Sequence, residues 1–214
     1  MGLGVMNLRL ATALKSPFSS ARRAARMERF VSTMGIKGGE RIIDLGGAAA
    51  FWSTSPVALN ITLVNLPGSG FEHDSDPRHT FELVEADACD LHFVADNEFD
   101  IAVSNSVIEH VGPPDQQAAL AREARRVAPR YWVQTPSIWF PIEAHSFMPF
   151  WWFYPPPARR FFIELWRKKT PARARMIETT TVLLRRDFQN LFPDGKIWTE
   201  RYMGVAKSYV AYRS

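Results

Sequence analysis

The chain has one cysteine, Cys89, among 214 residues. A single thiol makes neither an intramolecular disulfide nor a cysteine-rich zinc cage, so the fold must rest on its apolar core, and a reducing compartment, the cytoplasm, is the expected setting. Long apolar runs are missing too. The most apolar stretch, "FMPFWWFYPPPA" over 147–158, has 12 residues and is broken by prolines, whereas a bilayer-spanning helix needs about 20. The start "MGLGVM" puts Met6 where a myristoylation signal needs Ser or Thr. The sequence has no internal repeats and no low-complexity tracts. No spacing of His, Cys, Asp and Glu reads as a zinc site or a carboxylate cage, so no metal is expected.

What is present suits one well-filled core. Hydrophobic residues make up 46% and aromatics 13%, and the length favours a single domain over 1–214 with elaborations. The net charge of +4 hides an asymmetry. Residues 1–35 carry six basic groups and one acid, residues 36–158 seven basic and sixteen acidic, and residues 159–175 seven basic and one acidic. An acidic body with two basic appendages suits an anionic partner, while solvated helix faces account for the same charges. The Arg-rich, acid-poor stretch 9–29 has the composition of a transit peptide and equally that of an amphipathic surface helix. The helix is the reading adopted, giving a basic helical region over 1–35.

Apolar, β-branched runs recur along the chain: "RIIDL" (41–45), "NITLVNL" (60–66), "FELVEA" (81–86), "FDIAVSN" (99–105) and "RYWVQTP" (130–136). Their alternation with helical or turn-rich segments predicts a mostly parallel sheet with helices on both faces. In "DQQAALAREARRV", Leu120, Ala124 and Val127 follow helical spacing, with Asp115 as the expected cap and Pro129 as the stop. "KIWTERYMG" and "VAKSYVAYR" predict an antiparallel edge pair turning at Gly204.

"RIIDLGGAAAFW" (41–52) ends a buried strand in a carboxylate, Asp44, followed by Gly46 and Gly47. In a doubly wound sheet a ligand sits at such strand ends, and glycine allows close approach to the backbone. A dinucleotide fingerprint counted from Gly46 would need glycine at 48 and 51, where Ala48 and Phe51 stand. A ligand with a free ammonium group is better served by Asp44.

The stretch resembles motif I of class I S-adenosylmethionine-dependent methyltransferases, matching at Asp44 and Gly46 and departing at Ala48 and Ala50. "LVNLP" places Asn65 where that family usually has an acid on the ribose hydroxyls. "VEADACDL" is similar to the third motif, with Asp87 and Ala88 at the adenine. "FDIAVSNSVIEHVG" resembles the fourth motif of the type 11 small-molecule methyltransferases. The resemblance runs in order from about Glu40 to Pro136. It implies a doubly wound, mostly parallel seven-stranded Rossmann-like sheet with a reversed last strand and an aromatic-rich insertion after the fifth strand. It also implies S-adenosyl-L-methionine as cofactor, with contacts from Asp44, Gly46, Gly47, Trp52, Asn65, Leu66, Asp87, Ala88, Asn105 and Ser106.

Methyl transfer from a sulfonium is an in-line displacement on an already activated carbon, so alignment and water exclusion carry most of the catalysis. A hydroxyl acceptor also has a proton to lose, and histidine suits that task near neutral pH. His110, directly after the fourth motif, and His145, in "PIEAHSFMPFWWFYPPP", are the candidate catalytic residues. Each has a plainer account, His110 as a solvated or backbone-capping residue and His145 as a core histidine among aromatics.

The insertion 136–175 is expected to form the acceptor pocket's wall. Its aromatics and basic residues point to a small-molecule or lipid-linked acceptor, methylated at oxygen, and to peripheral contact with an anionic membrane. Two other classes of function are carried alongside. A catalytically inactive S-adenosylmethionine-binding regulator fits the altered motif I. A nucleic-acid module fits less well, because the aromatics are not interleaved with basic residues and the body is acidic.

Overall fold

The computed structural model describes residues 17–68, 76–143 and 145–214, and side chains from residue 23 onward. The expectations for the first 16 residues lie outside the described residues.

Five β-branched runs become the parallel strands β1 (Arg41–Leu45), β2 (Asn60–Asn65), β3 (Thr80–Glu85), β4 (Ile101–Asn105) and β5 (Arg130–Pro136). The chain then returns in β6 (Lys196–Tyr202) and β7 (Val205–Arg213). The seven strands form one sheet in the order β3-β2-β1-β4-β5-β7-β6. β7 runs antiparallel to both β5 and β6, so it alone is reversed. The tight turn between β6 and β7 uses Met203 and Gly204, both at positive φ (48° and 81°). β1 and β4 are neighbours although two strands separate them in sequence. That is the switch point, where the chain changes direction across the sheet and loops diverge to leave a crevice.

The strands near the switch are buried on both sides, as continuous apolar runs predict. Ile42, Ile43, Leu45, Ile101, Ala102 and Val103 are inaccessible. β3 lies at one edge with Glu82 and Glu85 exposed, charges that discourage pairing with another chain.

Helices cover both faces. On one side pack α1 (Pro17–Met34) and the single turn α2 (Ala49–Trp52). Met27, Phe30 and Met34 recur at helical spacing and meet Ile42, Trp52, Ile61 and Trp132. On the other side α3 (Pro114–Arg126) contributes Leu120, Ala121 and Ala124, and Phe188 of α6 (Arg185–Leu191) joins them over Ile43, Leu45 and Val133. Asp115 does not cap α3. Pro113 occupies the cap position, Pro114 opens the helix, and Asp115 sits in the first turn, where proline loses nothing for want of an N–H and a carboxylate meets the positive helix end. Between β5 and β6 the chain also makes a 3-10 turn (Trp151–Phe153) and the helices α4 (Pro156–Lys169) and α5 (Pro171–Thr179) before α6.

Candidate functional site

At the end of β1 the backbone turns through Gly46 at φ +77°. Gly46 N–H donates to the Val64 carbonyl at 2.7 Å, and the Asn65 amide nitrogen donates to the Gly47 carbonyl at 2.9 Å. The turn is thereby fastened to the end of β2. Asn65 thus spends one amide proton on the glycine turn and keeps its oxygen as an acceptor. Neither glycine tolerates a side chain. A Cβ on Gly46 would lie 2.6 Å from Val107, and one on Gly47 only 1.8 Å from the Asp44 carboxylate.

Asp44 therefore lies directly beneath the turn, 1% exposed. Its Oδ2 accepts the Trp52 indole N–H at 2.8 Å, while its Oδ1 is buried without a partner. Burial pushes the carboxyl up to about 7, against the Trp52 hydrogen bond that lowers it. Trp52 itself is wholly buried against Phe30 and Phe51. The indole of Trp52, expected at the cofactor, here holds the Asp44 carboxylate through its N–H.

The expected adenine-side residues follow β3. Asp87 is exposed, its Oδ1 accepting the Cys89 N–H at 2.8 Å, and Ala88 beside it is buried. The Cys89 thiol is pushed up to about 12, by burial first and by Asp87 second, so it is no nucleophile at neutral pH. Leu66, after β2, is 59% exposed.

Across the switch point, Asn105 Oδ1 accepts from Arg26 of α1 at 3.2 Å. Ser106 is held at φ +58°, with its hydroxyl on Gln134 at 2.7 Å. A cleft of about 340 Å³ opens here, lined by Arg26, Ser106, Gln134, Phe140, Ile142, Glu143, Phe147 and Trp152 among others. Of the expected wall 136–175, only residues from Pro136 to Trp152 line the cleft, α4 and α5 add nothing to it, and Lys207 and Ser208 of β7 complete it. A wider, open depression along α5 carries none of the motif residues.

His110 and His145, 35 positions apart, meet with Nε2 to Nε2 at 3.0 Å and rings nearly perpendicular. His145 Nδ1 lies 2.7 Å from Glu143 Oε1, and Glu143 also accepts the backbone N–H groups of His145 and Ser146. His110 Nδ1 lies 3.2 Å from the Thr180 hydroxyl. Burial, then His145, hold His110 down at about 4. The Glu143 carboxylate raises His145 against the opposing effect of burial.

Glu109, which precedes His110 in the fourth-motif stretch, is inaccessible. It accepts the Thr135 hydroxyl at 3.1 Å through Oε2, and Oε1 has no partner. Burial pushes it up to about 7. The preference for Ile-Glu-His in the fourth motif was the only signal for it.

The strand order with a reversed β7, and a glycine turn over a buried carboxylate facing the fourth-motif loop across the switch point, give the fold of class I S-adenosylmethionine-dependent methyltransferases. Residues 49–130 match the family model described as a methyltransferase domain. Among solved structures, the chain is similar to an S-adenosylmethionine-dependent methyltransferase from Aquifex aeolicus, at 13% identity and TM-score 0.50 over 94% of each chain. It is also similar to the CurJ carbon methyltransferase, at 11% identity and TM-score 0.55 over 96% of this chain and 58% of that one. An O-methyltransferase family protein from Burkholderia thailandensis matches at 12% identity and TM-score 0.50, over 89% of this chain and 57% of that one. At these identities the likeness is one of fold, and the chain spans little more than half the length of the last two. No curated protein matches the sequence.

The residues present fit the S-adenosylmethionine that the resemblance implies. Asp44 Oδ1 is buried without a partner, so an ammonium group beside it would favour its ionised form, and the glycine turn leaves the backbone bare above it.

Proposed function

We propose that this chain transfers a methyl group from S-adenosylmethionine to an oxygen of a small or lipid-linked acceptor bound in the cleft beside Ser106. The observation that carries this reading is that the cleft touches both Ser106 of the fourth-motif loop and Glu143, the residue that holds His145. The fourth-motif loop and the carboxylate that holds His145 thus border one space.

When bound, the cofactor supplies an activated methyl carbon. The chain's own residues do the rest. Asp44 meets the ammonium group, Asn65 and Asp87 meet ribose and adenine, and Gly46 and Gly47 let the backbone come close. Leu66, Ala88, Asn105 and Ser106 complete the cofactor's surroundings. His110 and His145 stand at the acceptor, orient its hydroxyl and take up its proton. Phe140, Ile142, Phe147 and Trp152 exclude water around an apolar acceptor body.

A lipid-linked acceptor is supported by the rings left outside. Trp139, Phe150, Phe153 and Phe161 are all more than half exposed, with Arg159, Arg160, Lys168 and Lys169 alongside in sequence. Such a surface meets an anionic membrane without crossing it, and no described helix is long and apolar enough to cross one.

The test is binding followed by turnover. S-adenosylhomocysteine should give calorimetric heat and a thermal shift, and labelled S-adenosylmethionine should pass its methyl to a component of a metabolite or lipid extract. His110→Ala and His145→Ala should then lower turnover by about 10² to 10⁴ and leave S-adenosylhomocysteine affinity unchanged. Binding without any methyl transfer would instead mark a regulator. No binding at all would overturn the assignment.

A further inference from the structure

We propose that Glu109, His110 and His145 form a binding site for a divalent first-row transition metal, of which zinc is the best representative. The site stands on its own geometry, and its part in methyl transfer rests on the function proposed above.

The first argument is an account of protons. The Thr180 hydroxyl donates its hydrogen to the Met176 carbonyl at 2.7 Å, so at 3.2 Å it can only accept from His110 Nδ1. His145 Nδ1 faces a carboxylate oxygen of Glu143 at 2.7 Å and is likewise the donor. A neutral imidazole has one N–H. Both rings have therefore placed it on Nδ1, and two Nε2 lone pairs confront each other at 3.0 Å. Something positive must lie between or beside them, either an extra proton or a metal ion.

The second argument is Glu109. Its carboxylate is inaccessible to solvent, and its Oε1 has no hydrogen-bond partner and lies 4.0 Å from His110 Nε2. A proton shared by the imidazoles leaves that oxygen unsatisfied, whereas an ion satisfies all three groups together. One ligand atom from each of Glu109, His110 and His145 falls within 4.8 Å of the others. With both imidazoles neutral, Glu109 and Glu143 give the site a formal charge of −2, the complement of a dication.

The chemistry of the donors selects the metal. Two imidazoles and one carboxylate suit zinc, cobalt or iron rather than magnesium or calcium, which take oxygen donors. Zinc–nitrogen bonds of about 2.0 to 2.1 Å in a tetrahedron put two ligand nitrogens about 3.3 Å apart, so the rings need to part by only a few tenths of an ångström. Glu143 on His145 Nδ1 is the outer carboxylate that metal-bound histidines usually carry. Three protein ligands leave a fourth position for water or an acceptor oxygen; in the metal-loaded protein both imidazoles are spent on the ion, so the ion lowers the pKa of that oxygen and its proton passes to solvent rather than to the histidines. The sequence concealed the set because two ligands are adjacent and the third lies 35 positions on, a spacing no zinc motif uses.

The test uses the full chain, stripped with chelator and dialysed against zinc, cobalt or magnesium. Elemental analysis should find about one zinc or one cobalt per chain and no retained magnesium, and cobalt should give the intense visible absorption of a four-coordinate site. His110→Ala, His145→Ala and Glu109→Gln should each weaken zinc binding more than tenfold, and Glu143→Gln by about 10- to 100-fold. Circular dichroism identifies any variant that fails to fold, and the wild-type cobalt spectrum then decides alone. Zinc bound far below one equivalent, a six-coordinate cobalt spectrum, or folded variants that bind like wild type would overturn the proposal. S-adenosylhomocysteine calorimetry on the same samples separates the two readings. Ligand binding without zinc sinks the metal site alone, and zinc without ligand binding sinks the methyltransferase assignment alone.

Discussion

Replacing Asp44 with asparagine should make the ligand-free protein more stable at neutral pH and a worse binder of cofactor. In the fold Asp44 is 1% exposed, one oxygen on Trp52 and the other without a partner, and burial lifts its pKa from 3.8 to about 7. A carboxyl with a raised pKa holds its proton more tightly in the folded state than in the unfolded one. Folding is therefore favoured below 3.8 and loses about 1.4 kcal/mol per pH unit as pH rises from there to about 7, where the loss is complete. Between about pH 4.5 and about pH 8 the group costs the wild type about 3 kcal/mol that a non-titrating asparagine avoids. Other groups in that window, Glu109 among them, titrate in both proteins and cancel in the difference. Urea unfolding at several pH values measures it. The stability difference, variant minus wild type, should climb with pH and flatten above about 7. The same substitution removes the charge that meets the ligand's ammonium, so S-adenosylhomocysteine affinity should fall by about 1.5 to 3 kcal/mol, roughly 10- to 150-fold. Parallel pH curves would show that Asp44 is ionised at no such cost, and unchanged affinity would remove it from the cofactor site.

Asn65→Ala should cost less affinity than Asp44→Asn, about 1 kcal/mol, because it removes only neutral hydrogen bonds, and the same calorimetry ranks the two. Gly47→Ala drives a Cβ into the Asp44 carboxylate and should lower stability by about 1 to 3 kcal/mol in urea melts while abolishing the thermal shift with S-adenosylhomocysteine. Arg26→Ala removes the 2.7 Å pairing with Glu200 and the hold on Asn105. Lys207 and Ser208 still face Glu200, so the unfolding free energy should drop by about 1 to 3 kcal/mol rather than by the full cost of an orphaned buried charge. Sedimentation with anionic vesicles should carry the protein down at low salt and release it at high salt, and neutral vesicles should carry down less.

The amino-acid sequence by itself determined the sheet and where it opens. Ile42, Ile43, Val64, Ile101, Ala102, Val103 and Val133 lie in runs with no polar face, and such runs find burial only as inner strands of a parallel sheet. The turn at Gly46 and the turn at Gly204 were legible because positive φ is a local demand that glycine meets alone at little cost. The order of the four motifs, and with it the expectation of S-adenosylmethionine, followed from the same local signals. Tertiary structure decided the rest. Trp52 supports Asp44 because eight residues of strand, turn and helix fold its indole back under the carboxylate. Arg26 reaches Asn105 and Glu200, which are 79 and 174 positions away, because α1 crosses the strand ends. Glu109 and His110 meet His145, Glu143 and Thr180 only after the insertion doubles back over the fourth-motif loop. A spacing rule sees residues that share one helix, strand or loop. The proton and charge balance of this cluster arises between segments that only the packing of the insertion on the sheet brings within 4.8 Å.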